Sequence, residues 1–258
     1  MPTRSEGARL QDMVTSPPGS QRILLEVRNV RRAFGGIVAV DDMSFDVNAG
    51  VATGLIGPNG AGKTTLFNLL SCVDRPDRGE VRFEGQRISG LDAHKVGRLG
   101  IGRTFQSVRV FGDMSVRENL EIAEVNAPHG GSPGAQSRIA EALEFVDMAH
   151  MVDSVAGLLS YGQRKLVELA MVLVQKPKLI LLDEPVAGVN PVLTEKIGVI
   201  LGSLVRRGQT LLIVEHNIPF VTALCQRVIV MANGALLADG TGEEIQRDER
   251  VLESFLGV

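Results

Sequence analysis

The chain has 258 residues, a formal charge of −3 and 44% hydrophobic residues, which suffices for one large domain or two small ones with a sizeable core. That balance offers nucleic acid no basic footprint, and the only two cysteines, Cys72 and Cys225, lack metal-ligand spacing and read as buried thiols of a reducing compartment. No stretch of about 18 apolar residues occurs and residues 1–20 hold no signal peptide, so a soluble, cytoplasmic protein is expected, with any membrane contact made through a partner.

Residues 1–20, ending TSPPGS, are polar and marked by Pro and Gly, and are expected to be disordered. Residues 24–30 alternate like a strand, and residues 37–47 give two short strand-like pieces around Asp41-Asp42. Between them Phe34 has two roles open to it. Its flat face can stack on a purine base, or it can fill the core. Residues 51–56 then form an apolar strand that runs into GPNGAGKTT, residues 57–65, followed by helical residues 66–70. Gly57, Gly62, Lys63 and Thr64 fill every fixed position of the phosphate-binding loop, with Pro58, Asn59, Gly60, Ala61 and Thr65 completing the stretch. The strand–loop–helix context is what the chemistry needs. Glycines let backbone N–H groups turn inward around phosphate oxygens, and the helix N-terminus adds a favourable dipole. Lys63 is placed for the β- and γ-phosphates, and the Thr64 hydroxyl for Mg²⁺.

Residues 74–79 form a turn cluster, residues 79–85 a strand, and residues 101–106 a short strand ending at Gln106. Ser115 and Glu118 have capping-box spacing at a helix start. Residues 127–134 read as a mobile loop and residues 135–148 as a helix, so the stretch 107–160 is mostly helical and inserted into a chain of alternating strands and helices. LSYGQ, residues 159–163, opens an amphipathic helix to residue 174 with Ser160 as N-cap, and its first N–H groups form a second anion site. An apolar strand at 179–182 ends in Asp183-Glu184-Pro185. A helix at 191–207 and a strand at 210–214 follow, the strand ending in Glu215-His216. A hairpin about Asn233-Gly234 and two short helices close the chain. The class is α/β, with candidate site residues at strand ends. Taken alone, Asp183-Glu184 fits a strand-end turn as well as a Mg²⁺ site, and His216 a structural hydrogen-bonder.

GPNGAGKTT, Gln106, LSYGQ, LILLDE, AGVNP and His216, in this order, resemble the motifs of ABC-transporter ATPase subunits over roughly residues 22–258. The resemblance implies a P-loop NTPase fold over residues 21–258, with a mainly parallel sheet core, an N-terminal antiparallel β part and a helical subdomain at about 107–165. It implies ATP and Mg²⁺ as cofactors. Asp183 would hold the metal with Thr64 and Gln106, Glu184 would act as general base, and His216 would bond the γ-phosphate. Phe34 would stack on adenine, while Ser160, Gly162 and Gln163 would face the ATP held by a second ATPase subunit, a copy or a sister. Tyr161 stands where the family's usual LSGGQ has Gly, and Asn190 where many members have Asp.

RTFQSVRVF, DMSVRENL, DEPVAGVNP and VEHNIPFV look most like cassettes of branched-chain amino acid importers, with urea and short-amide cassettes next. Partners implied are membrane permease subunits and, indirectly, a substrate-binding protein, at the cytoplasmic face of the inner membrane. A non-transport ABC ATPase fits less well, because neither a second cassette nor a long coiled-coil insert is present. A P-loop kinase or GTPase leaves LSYGQ and His216 without a role.

Overall fold

The structure, a computed structural model, describes residues 22–256, so the tail expected at 1–20 lies outside the described residues. Two sheets face each other across one short helix. The first is antiparallel: β1 (Ile23–Phe34) and β2 (Ile37–Asn48) form a long hairpin, and β4 (Arg78–Phe83) and β5 (Gln86–Arg87) extend it on the β1 side. Residues 37–47, expected as two pieces, lie in one strand. Its interruption is absorbed by an irregularity in which Asn29 and Asp42, both in the left-handed region (φ 49° and 52°), face each other, and the Asn29 amide donates to Asp42 Oδ1 at 2.8 Å.

The second sheet places β3 (Ala52–Ile56) at its centre, flanked by β8 (Thr210–Val214) and β9 (Arg227–Ala232). Beyond β8 lie β7 (Leu179–Asp183) and β6 (Ile101–Arg103), and β10 (Ala235–Gly240) closes the other edge. All neighbours pair in parallel except β9 with β10. Every residue of β3, β7 and β8 is buried, the pattern of strands covered on both faces. Alternation divides them between two cores. Leu55, Leu179, Leu181, Leu212 and Val214 pack with the antiparallel sheet and α1 (Lys63–Leu70), while Ile56, Ile180, Leu182, Leu211 and Ile213 pack with the helices of the other face. In α1 Leu66, Phe67, Leu69 and Leu70 are fully buried, each worth about 1.5–3 kcal/mol relative to exposure. That wedge fixes the helix whose first turn begins the phosphate loop's far end.

Five helices cover the other face or flank it: α3 (Val116–Val125), α4 (Ala135–Phe145), α5 (Tyr161–Leu173), α6 (Pro191–Arg206) and α7 (Ile218–Leu224). Helices α2 (Ala93–Leu99), α8 (Gly242–Arg247) and α9 (Glu249–Leu256) are peripheral. Residues 107–114, ahead of the helix start read at Ser115, contain no helix. They are held instead by fully buried Asn119, whose side chain bonds both the N–H and the carbonyl of Phe111. The loop at 127–134, read as mobile, is a run of turns tied to α4: Arg138 donates to the Pro133 and Ser132 carbonyls and pairs with buried Glu124. No helix among the described residues is long and apolar enough to cross a membrane.

Candidate functional site

Because β3, β6, β7 and β8 are parallel, their C-terminal ends meet along one edge, and the loop of residues 57–62 leaves β3 there. The loop is shaped for close backbone approach. A Cβ at Gly57 would lie 2.0 Å from the Met231 carbonyl oxygen, and one at Gly62 (φ 98°) 2.0 Å from that of Ala39. The Gly234 N–H donates to Ala61 O at 3.1 Å, so the β9–β10 turn braces the loop from behind. Gly62 is the N-cap of α1 and carries no side chain to satisfy the first N–H groups, which therefore offer themselves to an anion. Lys63 lies across this concavity. Its Nζ donates to the carbonyls of Gly57 (2.7 Å) and Pro58 (2.9 Å), and burial pulls its pKa down while Glu184 and Asp183 push it back up. Thr64 is exposed at the first turn, and Pro58, Asn59, Gly60 and Thr65 are at least partly accessible.

The acidic side stands at the end of β7. Burial raises the Asp183 pKa, and Arg103 opposes the rise through an ion pair at 3.2 Å. Glu184 has a left-handed backbone (φ 49°), an uncommon conformation for a residue with a Cβ. It is pinned where its N–H donates to Val214 O at 2.9 Å. Its carboxylate accepts from the Gln106 amide at 3.1 Å and lies 3.8 Å from His216 Nδ1. Thus Lys63, Gln106, Asp183, Glu184 and His216 converge. Ser160, Gly162 and Gln163 stand apart, with no hydrogen bond to the phosphate loop among the described residues; Ser160 is exposed at the head of α5.

Two residues that sequence reasoning left without a role matter here. Arg103, at the end of β6, also donates to Asn68 Oδ1 (2.8 Å) and Ser71 Oγ (2.7 Å), joining the strand-end acid to the phosphate-loop helix. Glu215 is fully buried; it accepts from Val186 N (2.9 Å) and His216 N (3.1 Å), tying the turn after Glu184 to the histidine loop. A charged residue at each strand end was the only available signal.

The sequence pattern of the family described as ABC transporter matches residues 40–187. The high-affinity branched-chain amino acid transport ATP-binding protein BraF of Pseudomonas aeruginosa is 36% identical over 92% of this chain and 98% of its own. This chain belongs to the ABC transporter family. As in that family's ATP-binding subunits, its work is to hydrolyse ATP to drive transport. A solved ATP-binding cassette of an ABC transporter, in its ADP conformation, superposes with TM-score 0.83 at 36% identity, over 92% of this chain and 100% of that one. A dimeric cassette in a post-hydrolysis state, bound to ADP and Pi, gives 0.76 at 25% identity over 84% and 98%.

Within this cassette the departures noted in the sequence have physical places. Tyr161, 37% exposed, lies against its own chain: its hydroxyl is 3.5 Å from Gln106 O, and a Cβ on Gly188 (φ 73°) would meet its ring at 3.3 Å. Asn190 is the N-cap of α6, its Oδ1 accepting from Leu193 N at 2.9 Å ahead of Pro191, a capping task that needs no charge. Gln163 closes a capping box with Ser160, which occupies the side chain expected to face nucleotide. Phe34 is 48% exposed, so the core alternative fails; one ring face carries the Arg32 guanidinium at 4.6 Å.

Proposed function

We propose that this chain is the ATPase subunit of an importer for branched-chain amino acids, acting as half of a dimer on membrane permease subunits at the cytoplasmic face of the inner membrane. The observation that carries the catalytic part is the meeting of Gln106, Glu184 and His216, at 3.1 and 3.8 Å, beside the glycine cradle and Lys63. In this reading residues 57–65 wrap the triphosphate with N–H groups, and Lys63 leaves its two carbonyls for the β- and γ-phosphates. Phe34 offers its free ring face to adenine. Glu184 takes the proton of the attacking water, Gln106 orients that water, and His216 holds the γ-phosphate. The donor set of Thr64 hydroxyl, Gln106 amide and the Asp183 carboxylate suits Mg²⁺, which takes few protein ligands alongside phosphate oxygens, and the ion would neutralise charge developing on the transferred group. Ser160 and Gly162, which make no hydrogen bond to their own phosphate loop among the described residues, serve the nucleotide of the second subunit, whether copy or sister, while Gln163 holds the cap that shapes this helix start.

The amino acid assignment is supported by what the Pseudomonas relative's name states, at 36% identity along nearly the whole chain. Its test is uptake by vesicles containing the intact transporter complex purified with this chain. Leucine, isoleucine or valine should accumulate in an ATP-dependent way and urea should not; the reverse result would move the chain to the urea and short-amide cassettes. For the nucleotide site itself, Lys63→Ala should weaken binding of a non-hydrolysable ATP analogue by at least ~10-fold, since a buried, charge-assisted contact to phosphate is lost. Equilibrium titration measures it, and unchanged affinity would mean that the loop holds something else.

A further inference from the structure

Helix α5 turns a polar stripe toward the catalytic edge: Tyr161, Lys165 and Glu168, spaced four and three apart and so on one face. The outer two hold the Gln106 loop. Glu168 Oε1 accepts from Phe105 N at 3.3 Å and Arg109 N at 3.2 Å, and the Tyr161 hydroxyl reaches Gln106 O. Lys165, 7% exposed, takes the middle and donates from Nζ to the Glu184 backbone carbonyl at 2.7 Å. A buried ammonium ordinarily seeks a carboxylate. Glu215, Glu168, Glu184 and Asp183 all surround this one, yet among the described residues none comes within ion-pair distance of it. Burial lowers the lysine's pKa, the acids oppose that fall, and the directed bond goes to the carbonyl. That carbonyl belongs to a residue in the left-handed region, a backbone that persists only where its surroundings over-determine it. The Glu184 peptide groups are held from two sides, by Val214 O on the N–H and by Lys165 on the carbonyl.

We propose that Lys165 is a positioning residue for ATP hydrolysis, fixing the backbone of Glu184 so that its carboxylate points at the attacking water. The proposal rests on the role given to Glu184 above. It has a structural corollary: the helix whose head carries Ser160 and Gly162 is bonded, one turn later, to the general base of its own subunit. A shift of that head is therefore transmitted to Glu184.

The test uses the full-length chain, with steady-state turnover at saturating Mg–ATP and equilibrium binding of an ATP analogue measured side by side. Lys165→Met removes the donor; Lys165→Gln leaves a polar filler one atom too short to reach the carbonyl; Lys165→Arg keeps donors of sufficient reach. The Met and Gln variants should lose at least ~10-fold in kcat while binding the analogue within ~2-fold of the parent, and the Arg variant should recover most of the loss. Should Lys165→Met fail to fold, the Gln and Arg pair carries the same comparison. Parental kcat in the Gln variant, or a fall in kcat matched by an equal fall in affinity, overturns the proposal. Glu184→Gln assayed in parallel separates the two claims. Normal turnover there refutes the general base, whereas an inactive Glu184→Gln beside fully active Lys165 variants refutes the positioning role alone.

Discussion

Glu184→Gln is expected to bind ATP as the parent does and to hydrolyse it ~10²–10⁴-fold more slowly, the usual worth of a general base. The substitution is nearly isosteric, and the structure makes it a clean one. The left-handed backbone at residue 184 and its bond to Val214 O do not depend on which side chain is present, so the loop keeps its course. The carboxylate oxygen that accepts from Gln106 has a counterpart in the new amide oxygen, which can turn to receive the same donor at about the same 3.1 Å. What disappears is the ability to take a proton. Binding depends instead on the N–H groups of the phosphate loop and on Lys63, which the change does not touch. Nucleotide titration together with phosphate release measures both sides. Turnover near the parental value would remove Glu184 from the reaction and leave the strand-end turn as its only role.

Legibility in the sequence followed range. The glycine loop was readable because strand, loop and helix are contiguous and each glycine answers a local need. The Ser115–Glu118 box was readable because both bonds of a capping box span three residues, and the structure has both, as it does at Ser160, which was read only as an N-cap. The same spacing, taken only as a helix start, did not reveal that the Gln163 side chain is spent on its own cap. Short elements escaped for lack of a period. Helix α2 buries only Val96 and α7 only Val221 and Leu224, too few for an apolar stripe. Arg103, Lys165, Glu168 and Glu215 escaped for a different reason. Each finds its partner on a strand or loop that only the sheet order brings near, such as Asp183, 80 positions from Arg103. A charge at a strand end or inside an amphipathic helix does not announce whether water or another backbone will satisfy it.

Arg103→Leu should cost about 3–5 kcal/mol of folding stability, the range for removing one member of a buried ion pair. The pair qualifies: its side chains are 8% and 3% exposed. The guanidinium also serves Asn68, Ser71 and the Phe67 carbonyl, so leucine leaves three further acceptors to find other donors. The dominant loss, however, is electrostatic and carries a pH signature. Burial already raises the Asp183 pKa, and Arg103 is the main group holding it down. Without Arg103 the folded-state pKa climbs further above that of the unfolded chain, so the folded variant binds the proton more tightly than the unfolded one. Its deficit against the parent is then small where Asp183 is protonated in both states. The deficit grows as pH rises through the raised pKa and is complete above it. Urea unfolding at about pH 5 and about pH 8 should therefore give a larger difference between variant and parent at the higher pH. Adding Asp183→Asn to the Arg103→Leu chain removes the stranded charge, and should return a good part of the lost stability and flatten its pH dependence. A deficit equal at both pH values, or one the second change does not reduce, would mean that Arg103 stabilises the β6 end through its neutral hydrogen bonds and packing. The ion pair with Asp183 would then be incidental.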